Sequence, residues 1–456
     1  MFRRLSISSF RFFLAGRGLS FQTGKYFVQA LVVGALSGLV VAAFRYLIGL
    51  GYDWIFLPVL ESGHHWLFLF LPAVGALLGY LLICRFDSLE HARGTDSAIL
   101  AFHRRCGYVP PAVLPVKSVA SVLTVASGGS AGYEGPVTLL GAACGSLVAS
   151  WLDLPARARR ILMTAGISAG IAALFQAPLA GAIFGFEVLY SSSDVEYDCI
   201  LPCFTAATVA YTVFACFFGW GTLFQMPSGV VYANGLRLLP YFVLALVITF
   251  GARLYIRFFT AAERKFSALP VPGWARVTLG GLATGALGLL VPEVLGTSYP
   301  VIQMTLASGG GLAITTLLAI FFVKALATSC TVGSGGSGGV FAPAIVCGGT
   351  LGAAVGLAFA RVLPDSVGIH PEAFALVGMA GFLASSVRTP MAAIVMVAEI
   401  SGNHGLLVPA MWVCGISFWL NSGWSLYRSQ PHSRESSPAH AAFGAAPAAL
   451  PLQKGT

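Results

Sequence analysis

The chain has 456 residues, 57% of them hydrophobic and 9% charged, with a mean hydropathy of +0.83 and a formal net charge of +9. A soluble domain carries about 25% charged residues, so this chain cannot cover a water-facing surface and reads as a polytopic membrane protein. Soluble enzymes, nucleic-acid readers and secreted modules are excluded, and the positive charge implies no nucleic-acid partner.

The first 25 residues hold Arg3, Arg4, Arg11, Arg17 and Lys25 and no acid, a positive-inside signal that places the N-terminus in the cytoplasm. Charge interrupts the apolar stretch there, so no cleavable signal peptide is expected. From Phe27 to Tyr427 apolar segments run almost without pause, with room for on the order of 14 to 18 helices at about 20 residues each. Clear apolar segments cover 27–50, 66–84, 200–220, 238–256 and 314–327, whereas 165–175, 177–189, 373–383 and 390–400 are too short to cross a ~30 Å core upright. Short apolar helices bounded by Gly and Pro predict half-helices that end inside the membrane. Irregular backbone survives at that depth only where it is buried in protein or lines a polar cavity, so a binding site near the midplane is expected. Residues 1–26 read as a basic cytoplasmic segment, 27–427 as one membrane domain, and 428–456, rich in Ser, Pro, Ala and His, as a disordered cytoplasmic tail.

The chain repeats itself. Gly129-Ser130-Ala131-Gly132-Tyr133-Glu134-Gly135-Pro136 aligns with Gly336-Ser337-Gly338-Gly339-Val340-Phe341-Ala342-Pro343 at an offset of 207, and Lys117 aligns with Lys324 at the same offset. Downstream, Ala177-Pro178-Leu179-Ala180 with Glu187 matches Thr389-Pro390-Met391-Ala392 with Glu399. Lys, Pro and Glu recurring in register cannot come from Gly- and Ala-rich composition alone. The sequence is a tandem duplication of two membrane halves, about 27–220 and 238–427. Gly/Pro-interrupted segments in corresponding positions of two repeats mark the substrate site of many transporters.

Three acids, Glu134, Glu187 and Glu399, lie inside these segments, and an intramembrane acid is a functional hypothesis by default. Glu134 sits at a break between glycines, where Pro136 can open a helix. Its carboxylate would take the place of a mobile anion beside free N–H groups. Glu187 and Glu399 come late in their helices, and bonding to a neighbouring helix that holds the halves together is the favoured reading. The second break, from Gly333 to Pro343, can form a nest of inward N–H groups, although close helix packing would also use these glycines. Two such breaks facing each other would surround a dehydrated anion with partial positive charge and no trapping cation. Lys117 and Lys324 could supply positive potential to that path or snorkel to an interface. The eight histidines fall in loops, segment ends or the tail, and the nine cysteines are scattered, so neither a cofactor nor a metal site is expected. Ser168, in Gly166-Ile167-Ser168-Ala169-Gly170, has the look of an intramembrane hydrolase motif but lacks a histidine base.

At these residues the chain resembles the CLC family of chloride channels and chloride/proton exchangers, over about 31–427. Gly132-Tyr133-Glu134-Gly135-Pro136 is similar to the family's G-[KR]-E-G-P motif, with Tyr133 in place of the basic residue, and Gly338-Gly339-Val340-Phe341-Ala342-Pro343 matches G-G-x-F-x-P. The resemblance implies an all-α membrane fold of two inverted-topology repeats with broken, tilted helices meeting at a midplane anion site. It implies a gate at Glu134 and an anion site formed by Gly132, Gly135, Gly339, the N–H groups of Val340 and Phe341, and the hydroxyl of Tyr427. It further implies a homodimer in the inner (plasma) membrane, in contact with lipid, with chloride or a similar anion as substrate. Two departures bear on function. The family's G-S-G-x-P motif is replaced by Gly94-Thr95-Asp96-Ser97, where Thr95 is a substitute for the serine. Val188 stands where exchangers carry an internal proton-transfer glutamate. The first departure bears on anion coordination and selectivity; the second favours a passive chloride channel, with a chloride/proton or fluoride/proton exchanger as the alternative and an intramembrane hydrolase as a remote one.

Overall fold

The structure is a computed structural model that describes residues 22–86, 94–225, 238–307, 312–364 and 368–441. The basic residues Arg3, Arg4, Arg11 and Arg17 lie outside them. Helices in chain order are α1 (Gln22–Gly51), α2 (Leu57–Glu61), α3 (Leu71–Phe86), α4 (Thr95–Arg104), α5 (Val113–Ala126), α6 (Glu134–Trp151), α7 (Ala156–Phe175), α8 (Pro178–Glu187) and α9 (Ile200–Phe218) in the first half. The second half holds α10 (Leu238–Ala268), α11 (Gly273–Leu290), α12 (Tyr299–Ala307), α13 (Ile314–Gly333), α14 (Phe341–Val362), α15 (Pro371–Ser386), α16 (Pro390–Ser401) and α17 (Leu407–Leu420), and α18 (Pro438–Ala441) follows. Among the described residues seven helical spans are long and apolar enough to cross a membrane, and no strand forms. The protein is an all-helical, multi-pass membrane protein.

The repeat is visible in the bonding. Glu134 and Phe341, 207 residues apart, each begin a helix, and just before them Gly132 and Gly339 exchange N–H···O bonds of 2.8 Å in both directions. Ser121 and Ser337 hydroxyls meet at 3.0 Å, and their equivalents Thr328 and Ser130 also meet at 3.0 Å. Close helix packing follows the same symmetry. A Cβ on Gly141 of α6 would lie 2.0 Å from the Gly166 carbonyl oxygen of α7, and one on Gly348 of α14 would lie 2.6 Å from that of Gly378 in α15. Only glycine permits this approach.

Glu187 and Glu399 tie the halves together reciprocally. Pro178 and Pro390 open α8 and α16, and the N–H groups that follow have no carbonyl within their own helix. The Glu187 carboxylate accepts from Met391 and Ala392, both at 2.8 Å, and Glu399 accepts from Leu179 at 3.1 Å and Ala180 at 2.7 Å. Each carboxylate meets two orphan donors at the positive end of a helix, which is the structural reading of these two acids.

Three expectations need correction. Segment 165–175 is the second half of the 20-residue helix α7, long enough to span; Pro155 starts that helix earlier than the apolar run suggests. Lys117 and Lys324 do not snorkel: both are buried, Lys117 donating to Ser337 Oγ at 2.9 Å and Lys324 to the carbonyls of Val294 and Gly296 at 3.0 and 2.7 Å. Of the segment expected as a disordered tail, 428–441 is packed onto the helices, and 442–456 lies outside the described residues. Pro431 and His432 carbonyls accept from Ser191 and Ser192 N–H at 3.0 Å, Arg160 bonds the Ala439 carbonyl at 2.9 Å, and Ser437 is fully buried. Backbone N–H groups of the loop after α8 and the Arg160 side chain of α7 fix this segment, which its composition does not reveal.

Candidate anion site

Glu134 is the first residue of α6 and is buried. Its Oε2 accepts from Ala342 N–H, in the first turn of α14, at 3.2 Å, and its Oε1 accepts from the Tyr299 hydroxyl at the start of α12. The carboxylate of one repeat therefore sits on the N-terminus of the equivalent helix of the other. The first N–H groups of α14 have no intrahelical acceptor, and the dipole there favours negative charge. Neutral donors hold the carboxylate, so a proton on it removes most of what keeps it in place, and an anion can then use the same donors.

Gly135, which follows Glu134, lines a cavity of about 50 Å³ with Thr95, Gly339, Val340 and Tyr427, space for one or two bodies the size of water. Tyr427 Oη is buried with no hydrogen-bond partner of good geometry, and Thr95 is the polar side chain beside it. A buried hydroxyl of this kind calls for an acceptor. Thr95 reaches the cavity because Gly94 turns the chain at φ +61°, where a Cβ would lie 2.6 Å from the Gly135 carbonyl carbon. Tyr255 donates to the Val340 carbonyl at 3.1 Å and keeps that oxygen occupied. The Phe341 ring points away from the cavity, against Phe175 and Phe184 at 5.5 and 5.4 Å, so this residue offers its backbone alone. Arg428, paired to Glu263 at 2.6 Å, and Asp96, which accepts from Ser429 N–H at 2.9 Å, close one mouth.

Tyr133, which precedes Glu134, lines a separate recess of about 410 Å³ with His65, Glu293 and Ser298. Tyr133, in place of a basic residue, packs its ring edge-on to Phe44 at 6.1 Å. Gly132 lies in the bridge to Gly339. The site thus gathers Glu134, Gly132, Gly135, Gly339, Val340, Phe341, Tyr427 and Thr95 at the junction of the repeats. Val188 lies apart from it, fully buried after the last turn of α8, with its carbonyl accepting from Gln430 Nε2 at 2.7 Å. Ser168 donates to the Ala182 carbonyl at 3.1 Å, a packing role rather than a nucleophile's.

Sequence reasoning missed Tyr299 and Tyr255. Tyr299 has no partner in the repeat pattern, and its one signal is its place before Pro300 at the start of a nine-residue helix. Tyr255 lies mid-helix in α10, with nothing local to mark it.

Comparison with known proteins agrees with this geometry. The family model described as voltage gated chloride channel matches residues 74–422. A putative chloride channel protein ClcB-like from Ralstonia nicotianae is 31% identical over 353 residues, covering 76% of this chain and 81% of the relative. An H(+)/Cl(-) exchange transporter ClcA from Cronobacter sakazakii is 33% identical over 362 residues, covering 76% and 75%. The crystal structure of a CLC-type fluoride/proton antiporter superposes with a TM-score of 0.79 at 24% identity over 91% of this chain and 99% of that one. A slow cyanobacterial Cl-/H+ antiporter gives 0.77 at 22% identity, covering 88% and 96%; both likenesses establish the fold. With relatives that are transporters, the protein is a transport protein and not an enzyme. Its helices, its paired half-sites and these matches make the chain a member of the CLC family.

Proposed function

We propose that the protein exchanges chloride for protons, with Glu134 as the group that both ions use. The observation that carries the reading is the Glu134 carboxylate resting on the Ala342 N–H and the Tyr299 hydroxyl. A titratable group on the anion's own donors makes protonation and anion passage mutually dependent. The relatives named as H(+)/Cl(-) exchange transporters support exchange over the passive channel favoured by sequence alone. The channel remains the second reading, supported by Val188 and by the ClcB-like relative. In liposomes holding a chloride gradient, exchange drives protons uphill at a fixed ratio to chloride; chloride efflux with no uphill proton movement would leave the channel. Repeating the assay with fluoride identifies the preferred halide.

Thr95 and Tyr427 hydroxyls, with the N–H groups of Val340 and Phe341, hold the anion inside the gate. Dipoles serve a permeant ion because they bind it without trapping it. Arg157, Arg160 and Arg434 gather at one end, together with the 428–441 segment and the start of α1, whereas Asp53, Glu61 and Glu293 belong to the other. The positive-inside rule makes the arginine end cytoplasmic. Two copies pair through α9 and α17, whose Leu201, Phe217, Met411 and Trp419 are exposed at 45%, 63%, 59% and 76%.

A further inference from the structure

A titratable group near the cytoplasm can load the proton for exchange, and Val188 cannot be that group. We propose that Glu196, with His440 beside it and a relay through Tyr190 and Ser437 to His103, is the cytoplasmic proton-loading station of this exchanger. The inference rests on the exchange reading above and extends it to residues outside the anion site.

The geometry is a continuous set of contacts at the arginine end. Glu196 is 3% exposed, in the loop between α8 and α9. Its Oε1 accepts from the Tyr190 hydroxyl and lies 2.6 Å from His440 Nε2, and its Oε2 lies 3.4 Å from Arg434. A recess of about 370 Å³, which Arg157, Arg160 and Asp198 also line, reaches Glu196 and His440. Arg157 is paired with Asp198 at 2.8 Å and Arg160 with the Ala439 carbonyl, so Arg434 and His440 are the basic side chains in contact with Glu196. Inward, the Tyr190 hydroxyl lies beside Ser437, and Ser437 Oγ is 2.7 Å from His103 Nδ1. His103 Nε2 is 2.9 Å from the carbonyl of Leu189, the neighbour of Val188. Because a carbonyl only accepts, Nε2 carries the hydrogen and Nδ1 is free to take one.

The transfer balances without electron movement. A proton from the recess turns the Glu196 carboxylate into an acid. Protonation of Glu196 releases the Tyr190 hydroxyl, which turns its hydrogen from Glu196 Oε1 toward Ser437 Oγ; the acid then passes its proton to the Tyr190 oxygen as the Tyr190 hydrogen moves to Ser437 Oγ and the Ser437 hydrogen moves to His103 Nδ1. Each hydroxyl ends neutral and the imidazole becomes imidazolium. His103 and Thr95 are eight positions apart on α4, about 12 Å at 1.5 Å per residue. The relay therefore ends one short helix from the cavity that Thr95 and Tyr427 line.

The test measures chloride and proton fluxes separately for the full chain in liposomes. Wild type should move protons uphill; if it moves chloride alone, the exchange reading itself fails before any variant is compared, and this inference with it. Given coupling in wild type, Glu196→Gln, which keeps the shape of the side chain, should lower the proton-to-chloride ratio about tenfold or more, and Glu196→Asp should recover part of it. An unchanged proton-to-chloride ratio in Glu196→Gln overturns the proposal, as does a parallel fall of both fluxes, which marks a structural role. Should Glu196→Gln fail to fold, His440→Asn at a partly exposed position should slow proton uptake alone, and no effect there overturns the proposal equally.

Discussion

Replacing Tyr299 by Phe removes one hydroxyl and leaves the ring, with its edge-on contact to Phe224 at 5.9 Å, in place. The lost bond is the one Tyr299 donates to Glu134 Oε1. A hydrogen bond to a charged group contributes about 1.5–3 kcal/mol, and one pH unit corresponds to about 1.4 kcal/mol. The bond exists to the ionised carboxylate in its docked position, so its loss destabilises that state relative to the protonated, undocked one. The sign follows: Tyr299→Phe needs less acid to open. Its acid-activation midpoint should rise by about one to two pH units, and flux at neutral pH should rise with it. Chloride efflux from liposomes, measured across a pH series for wild type and variant, gives both quantities. A midpoint that stays put or falls would refute the claim that neutral donors hold the gate.

Other predictions use the same contacts. Glu134→Ala should remove the pH dependence of chloride flux altogether, and a variant that keeps the wild-type profile would move the gate elsewhere. Tyr427→Ala deletes the buried hydroxyl of the inner cavity and should weaken chloride binding by about tenfold, the effect of one lost charge-assisted bond, measured by calorimetry. Glu187→Ala strands the N–H groups of Met391 and Ala392 and should cost about 2–6 kcal/mol at about 1–3 for each buried donor, seen as a lower Tm in detergent. Mass measurement in mild detergent and in bilayers should give dimers, and mutating Trp419 to a charged residue should shift them to monomers.

Much of the fold was legible because the duplication writes each feature twice. The offset of 207 brought Gly132 opposite Gly339, and the repeated Pro-to-Glu spacing marked Glu187 and Glu399 as carboxylates that bond a neighbouring helix, although not that each would cap the helix that carries the other. Glu134 stood out because a carboxylate among apolar residues needs donors, and a helix start supplies them. What stayed hidden depends on contacts with no sequence period. Tyr299 reaches Glu134 across 165 positions, and His103 reads as a segment-end histidine until Ser437, 334 positions away, is packed against it. The 428–441 segment looks disordered because its apolar content is low; backbone and side-chain hydrogen bonds to loops hold it. Val188 pointed toward a channel because a relay was sought at that one position, whereas the relay proposed above starts at Glu196, eight residues further on, and draws on His103 and Ser437 from distant parts of the chain.

Anion and proton sharing Glu134 is tested by imposing a pH gradient on liposomes that hold equal chloride inside and out with the membrane potential clamped. Wild type should accumulate chloride uphill at a fixed ratio to the protons moved, while Glu134→Gln should still pass chloride downhill but accumulate none. Wild-type chloride that stays at electrochemical equilibrium under the same gradient would contradict it.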